Sequence, residues 1–159
     1  MAGRILGKAA VYSGKNAVQT QSYGAEARGS AAKSDIIIAD ERIGFPIVRK
    51  CDVLIAMSQE AIRRNVKDLN EGCVLLVDSS IVKDIPDIKG RTLKISASEV
   101  AESAFGERLF ANMIMLGALN ETTKLLDHDS IIEAIRDTVP EKAISTNTQA
   151  FIKGRELAR

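Results

Sequence analysis

The chain has 159 residues, 45% of them hydrophobic, which suits one compact domain with a proper core. Its 22 basic and 21 acidic residues leave a formal charge of +1, so it lacks the electrostatic footprint of a general nucleic-acid binder. No apolar run reaches bilayer-spanning length, no charged leader precedes an apolar stretch, and the two Cys argue against a disulfide-scaffolded secreted domain; a cytoplasmic location is expected.

Aromatic residues are few, 4%, with no Trp. The core must then be built from Ile, Leu, Val, Ala and Met, the texture of an α/β domain whose parallel strands are covered on both faces. Residues 2–13 carry a helical pattern with Ile5, Leu6, Ala9 and Ala10 on one side. Gly3, Gly7 and Ala10 keep part of that surface small, which lets the helix approach a sheet closely. Residues 16–22 read as a strand. A polar turn follows, Ser22-Tyr23-Gly24-Ala25-Glu26-Ala27-Arg28-Gly29-Ser30, whose glycines permit backbone conformations closed to other residues. Residues 31–39 are extended again, and Asp40 to Pro46 makes a second turn.

Two strand–helix units come next. Val53-Leu54-Ile55-Ala56-Met57 is a continuous apolar run, typical of a fully buried strand. Ser58 is positioned to cap a helix through about Leu69, with Gly72 ending the unit. Cys73-Val74-Leu75-Leu76-Val77 repeats the pattern and ends at Asp78-Ser79-Ser80, and strand character returns at 92–95. The C-terminal third is helical. From 108 to 126, Leu109, Met113 and Leu116 and, beside them, Phe110, Ile114 and Gly117 cover two neighbouring stripes, which predicts a buried helix. Ser130-Ile131-Ile132-Glu133 has the form of a capping box opening a helix with Ile131, Ile135 and Val139 on one face. Pro140 stops it, and a last helix begins at Glu141 or Asn147 and runs towards Leu157.

In open α/β sheets ligands collect at the carboxyl ends of the strands. Three polar strand ends qualify: the 22–29 turn, Met57-Ser58-Gln59, and Asp78-Ser79-Ser80. They can line one crevice, or Ser58 and Ser79 can simply tie off helix and turn ends. Glu26 and Arg28 can hold each other across the turn with the guanidinium aimed at an anion or a partner carboxylate, or form an exposed ion pair worth about 0–1 kcal/mol. Asn112, inside a nearly all-apolar helix, needs a hydrogen-bond partner if it is buried. Cys51 and Cys73 open two successive strands and read as small core residues. His128, the only His, sits beside a helix start between Asp127 and Asp129. No metal cluster and no Ser–His–Asp arrangement is visible, so the chain carries no self-sufficient catalytic set.

Several stretches together resemble the gamma subunit of 2-oxoacid:ferredoxin oxidoreductases, particularly the 2-oxoglutarate and branched-chain types. They are Ala2-Gly3-Arg4-Ile5-Leu6-Gly7-Lys8-Ala9-Ala10, the Ser22 to Gly29 turn, Ile36 to Asp40, Asp52 to Ser58, Val77 to Ser80, Ala111 to Ala118, and Ala150-Phe151-x-x-Gly154. The resemblance spans nearly the whole chain. It implies a single Rossmann-like three-layer α/β domain, residues 1–159, with a mostly parallel sheet and a helical C-terminal third. One departure is visible: the family's opening strand and Gly-x-Gly-Gly-Gln-Gly turn do not precede Ala2. The sheet is then expected to lack its central strand, and the site its best anion-binding amides.

The resemblance further implies an accessory subunit of an enzyme that oxidatively decarboxylates a 2-oxoacid onto coenzyme A and passes electrons to ferredoxin. Alpha, beta and ferredoxin-like delta subunits are the implied partners, a homodimer contact is a further one, and neither nucleic acid nor membrane is expected. Thiamine diphosphate, magnesium and iron–sulfur clusters would be held elsewhere in the complex, since two Cys cannot ligate a four-thiolate cluster. Tyr23, Gly24, Glu26, Arg28 and Gly29, supported by Asn112, are expected to face the coenzyme A path or a subunit interface. The alternatives are an indolepyruvate oxidoreductase subunit, or a stand-alone Rossmann-like module binding a nucleotide or acyl-CoA.

Overall fold

The computed structural model describes residues 1–23 and 32–159, with Tyr23 by its backbone alone. In chain order the elements are α1 (Ala2–Tyr12), β1 (Asn16–Tyr23), β2 (Ala32–Ala39), β3 (Cys51–Ala56), α2 (Gln59–Asn65), β4 (Leu69–Asp78), β5 (Gly90–Ile95), α3 (Ala97–Phe105), α4 (Ala111–Thr123), α5 (His128–Arg136) and α6 (Glu141–Leu157). They fall into two units, one of Met1–Arg49 with Leu126–Val139, the other of Lys50–Leu125 with Pro140–Arg159.

In the first unit, β1 and β2 form an antiparallel pair, in register from Asn16 opposite Ala39 to Tyr23 opposite Ala32. The expected face of α1 is the buried one: Ile5, Leu6, Ala9 and Ala10 are all inaccessible or nearly so. Gly3 serves the close approach expected of it, because a Cβ there would lie 2.4 Å from Ser34 Oγ on β2. Gly7 does not; a Cβ there would meet nothing within 4 Å. Helix α5 buries Ile131 and Ile135 completely, and Val139 beyond its end is nearly as deep. Its start corrects the expected capping box. The cap is Asp127, whose Oδ1 accepts from Ser130 N at 2.8 Å and whose Oδ2 accepts from Ser130 Oγ at 2.7 Å. A carboxylate out-competes a hydroxyl as acceptor for first-turn amides, so the helix begins two residues before Ser130.

The second unit carries a three-stranded, wholly parallel sheet in the order β3-β4-β5. Leu75, Leu76 and Val77 of the central β4 are all fully buried, and alternate side chains point to opposite faces, so the sheet is covered on both sides. On one face Leu75 and Val77 join Ala56, Ile62 of α2 and Val82 in a buried cluster. The mixed α/β architecture is as expected, with three differences. First, Val53, Leu54 and Ile55 are half-buried rather than fully buried, because β3 is an outer strand of its sheet. Second, β4 starts at Leu69 and Gly72 lies within it at φ +75°, a conformation glycine tolerates, beside an irregularity in the β3–β4 register between Cys51 and Val53. Third, α3 emerges from a stretch with no strong apolar periodicity.

Helix α4 is buried almost all round, from Ala111 and Met113 through Asn120. The expected stripe begins too early, however: Leu109 is 63% exposed, since Arg108–Phe110 forms a separate 3₁₀ turn ahead of α4. Helices α4 and α6 cross through glycine. A Cβ on Gly117 would lie 1.9 Å from Phe151 O, and one on Gly154 would lie 1.8 Å from Ile114 O. Only a missing side chain on both helices permits this backbone-on-backbone contact, and it explains why Ala150-Phe151-x-x-Gly154 is a packing motif, with Ala150 and Phe151 fully buried beside it.

Candidate functional site

Of the three polar strand ends, the 24–31 stretch lies outside the described residues, and with it Gly24, Glu26, Arg28 and Gly29. For Tyr23 the backbone places the residue at the end of β1, opposite Ala32. The other two strand ends belong to the second unit. Ser58 caps α2, its Oγ accepting from Ala61 N at 3.1 Å. Gln59 is occupied as well: its Nε2 donates to Asp84 O at 2.6 Å, and its Oε1 accepts from Lys83 N and Asp84 N. Its amide thus fastens the loop that follows β4 onto the start of α2.

The third strand end builds more. Asp78, at the carboxyl end of β4, is fully buried. Its Oδ1 accepts from Ser80 N at 3.1 Å; its Oδ2 accepts from Ser98 N at 3.1 Å and from Ser98 Oγ at 2.5 Å. Ser80 Oγ accepts from Glu99 N at 3.1 Å. The cap of α3 therefore comes from β4's end rather than from Ser96, its own N-cap residue, which makes no side-chain capping bond. Three donors around one buried carboxylate offset its desolvation, and the strand end and the helix start become one rigid piece.

A cleft of about 290 Å³ opens over this junction. Ser79, Ser80, Ser96 and Ser98 form its hydroxyl-bearing floor, and Lys83, Glu99, Glu102 and Arg108 its exposed rim. Lys83 Nζ donates to Ser79 O at 2.8 Å, and Arg108 Nε donates to Glu102 Oε2 at 2.8 Å. The rim's two cations and two carboxylates cancel. Such a surface offers neutral donors and acceptors to a polar ligand. Sequence reading found Ser79 and Ser80 here but missed Ser96, Ser98 and the rim. The available signal was Ser96-Ala97-Ser98, directly after a strand end and ahead of a helix.

Asn112 sits in the first turn of α4 and is half-buried, whereas the deeply placed amide of that helix is Asn120, at 5% exposure. Cys73 is buried as expected, but Cys51 is only half so; neither is in a disulfide, and they are not cross-strand neighbours, Cys51 lying opposite Leu69 and Cys73 opposite Gly90. Among the described residues no group of three or more His, Cys, Asp and Glu is placed to hold a metal ion. None of their helices is long and apolar enough to cross a membrane.

The family model described as pyruvate ferredoxin/flavodoxin oxidoreductase matches residues 1–157. The chain belongs to that family. A curated relative, the 2-oxoglutarate synthase subunit KorC of Methanocaldococcus jannaschii, is 43% identical over 162 residues, covering 100% of this chain and 87% of the relative. The ketoisovalerate oxidoreductase subunit VorA of Methanothermobacter thermautotrophicus is 33% identical over 99% of this chain, which spans a third of that protein's length. Among solved structures, the gamma subunit of a keto/oxoacid ferredoxin oxidoreductase from Geobacter sulfurreducens PCA superimposes with a TM-score of 0.86 at 38% identity, covering 99% of this chain and 89% of that one. The chain is thus a gamma-type subunit of a 2-oxoacid:ferredoxin oxidoreductase, one component of a multisubunit enzyme. In this family member, the glycine crossing of α4 and α6 and the Asp78 junction are framework. Among the described residues the open surfaces include the hydroxyl-lined cleft and the exposed apolar side chains.

Proposed function

We propose that this subunit serves a coenzyme A-dependent oxidoreductase whose 2-oxoacid is 2-oxoglutarate, as one chain of a complex with alpha, beta and ferredoxin-like delta subunits. The observation that carries the reading is the 43% identity, across the whole chain, to a 2-oxoglutarate synthase subunit, against 33% to a ketoisovalerate oxidoreductase subunit. Thiamine diphosphate, magnesium and the iron–sulfur clusters belong to the partner chains in this reading. Residues 1–159 act as one gamma domain. Tyr23, Gly24, Glu26, Arg28 and Gly29 contribute to the approach of coenzyme A or to the neighbouring subunit, with Asn112 in support. The charge-balanced, hydroxyl-lined cleft suits a polar, uncharged portion of a ligand, such as an amide-bearing arm.

The test is the assembled complex, assayed with 2-oxoglutarate, a branched-chain 2-oxoacid and indolepyruvate in turn, with coenzyme A varied. The highest kcat/KM for 2-oxoglutarate is expected, and a preference for either competitor overturns the substrate assignment. Arg28→Ala is expected to leave the subunit folded while weakening assembly or raising the KM for coenzyme A. An assembled variant with unchanged kinetics removes the loop from the site.

A further inference from the structure

The first unit carries an apolar projection that its own fold does not use. Phe45 and Ile47, either side of Pro46 in the irregular segment after β2, are 54% and 57% exposed. The guanidinium of Arg49 lies 5.4 Å from the centre of the Phe45 ring, a cation over an aromatic face that stays open to solvent. Pro46 restricts the backbone between the two apolar side chains, so less freedom is lost when they are buried. Aromatic and Arg side chains together, on a short pre-ordered segment, are the usual makings of an interface anchor.

Charge narrows the occupant. Asp40 is already matched by Lys15 at 2.6 Å, which leaves Glu41 against the exposed cations Arg42 and Arg49 around the projection. Two clefts among the described residues of a second copy are candidates to receive it. The one on its first unit, between α1 and β1, is rimmed by Arg4 and Lys8 and would set cation against cation. The one on its second unit has a floor of serine hydroxyls, which an inserted phenyl ring would desolvate without a hydrogen bond in return. Neither fits.

We infer that Phe45, Pro46 and Ile47 form a plug that seats in an apolar pocket, rimmed by carboxylates, on a different subunit of the same oxidoreductase. Arg49 and Arg42 meet the carboxylate rim. The inference rests on the multisubunit reading given above. It is tested by tagging this chain in its native cells, purifying the complex, and repeating with the double variant Phe45→Ser, Ile47→Ser. Recovery of partner subunits with the wild-type chain tests the multisubunit reading by itself. Given that recovery, the double variant is expected to bind the partner roughly 30- to 100-fold more weakly, with an unchanged circular dichroism spectrum. Leu125→Ser, at an exposed apolar position of the second unit, is expected to bind normally. An unchanged affinity for the double variant overturns the inference. Should that variant misfold, a photo-crosslinking amino acid at position 45 of the otherwise intact chain decides: a cross-link to a different subunit of the complex supports the plug, and a cross-link only to another copy of this chain, or none, overturns it.

Discussion

The two units differ in what joins their helices most closely. Helix α4 meets α6 through absent side chains, with Gly117 and Gly154 each set against a carbonyl of the other helix. Helix α1 is tied to the two ends of α5 by polar side chains: Ser13 Oγ donates to Asp127 at 2.7 Å, Tyr12 Oη to Asp137 at 2.5 Å, and Lys8 Nζ to Asp137 O at 3.0 Å. A contact made of backbone answers to volume and is indifferent to pH. One made of charged side chains answers to protonation and tolerates a change of size.

The largest expected effect therefore comes from a single methyl group. Gly154→Ala or Gly117→Ala forces the helices apart, and a loss of about 2–4 kcal/mol is expected from denaturant unfolding. A loss under about 1 kcal/mol would mean that the crossing yields easily, and the contrast between the units would fail. Next is Asp78→Ala, which removes the remote cap of α3 and leaves Ser98 buried without its acceptor; about 2–3 kcal/mol is expected. Asp78→Asn should recover part of that loss, since its amide oxygen can still accept from Ser98 N.

Acid sharpens the comparison. The Ser13 hydroxyl, together with the Ser130 amide and hydroxyl, lowers the Asp127 pKa from 3.8 to about 2. A carboxyl whose folded pKa is depressed stabilises the fold above its unfolded value and loses that contribution as the pH falls through its folded value. Stability of the first unit should thus decline between pH 4 and 2, and Asp127→Asn should flatten that decline while costing about 1 kcal/mol at neutral pH through the Ser13 and Ser130 hydroxyl bonds that its amide nitrogen cannot accept. The second unit has one such tie. Lys124 and Arg155, then Arg159, hold Glu121 at about 2 against an ordinary 4.5. Glu121→Gln should flatten the acid response between pH 4.5 and 2 without touching the glycine crossing. The smallest effect is spectroscopic. Accepting the Tyr12 hydroxyl's hydrogen bond, Asp137 raises the Tyr12 pKa above 10, with partial burial and the charges of Asp137 and Glu133 adding to it. This raised folded value stabilises below pH 10 and is lost as the pH climbs through it. Ultraviolet titration of Tyr12→Phe should lack that late ionisation.

The sequence made visible what depends on large apolar side chains or on local hydrogen bonds. The β4 run, the buried face of α1 and the Ser58 cap could all be read from neighbouring residues, whereas α5 ends at Arg136, ahead of the expected stop at Pro140. What escaped depends on partners far along the chain. Helix α3 is buried through Ala97, Ser98 and Ala101, residues too small to mark an apolar face, and its cap comes from Asp78 and Ser80. The half-buried β3 looked internal because apolar runs do not say which strand ends a sheet. Of the candidate site, Ser79 and Ser80 were legible as a strand end, while Ser96, Ser98, Lys83 and Arg108 needed the β4–β5 pairing to bring them together. The 22–30 turn was singled out by family resemblance, and spacing alone would not have raised it above an exposed ion pair.

The borrowed cap of α3 also orders events in time. Until β4 and β5 have paired, Asp78 is not beside Ser98, and a nine-residue helix lacking its acceptors is short of the length at which isolated helices persist. Helix α3 should consequently be a late arrival in folding and an early departure in partial unfolding. Amide exchange at Ser98 and Glu99 should report the integrity of the β4–β5 pair rather than of the helix that contains them.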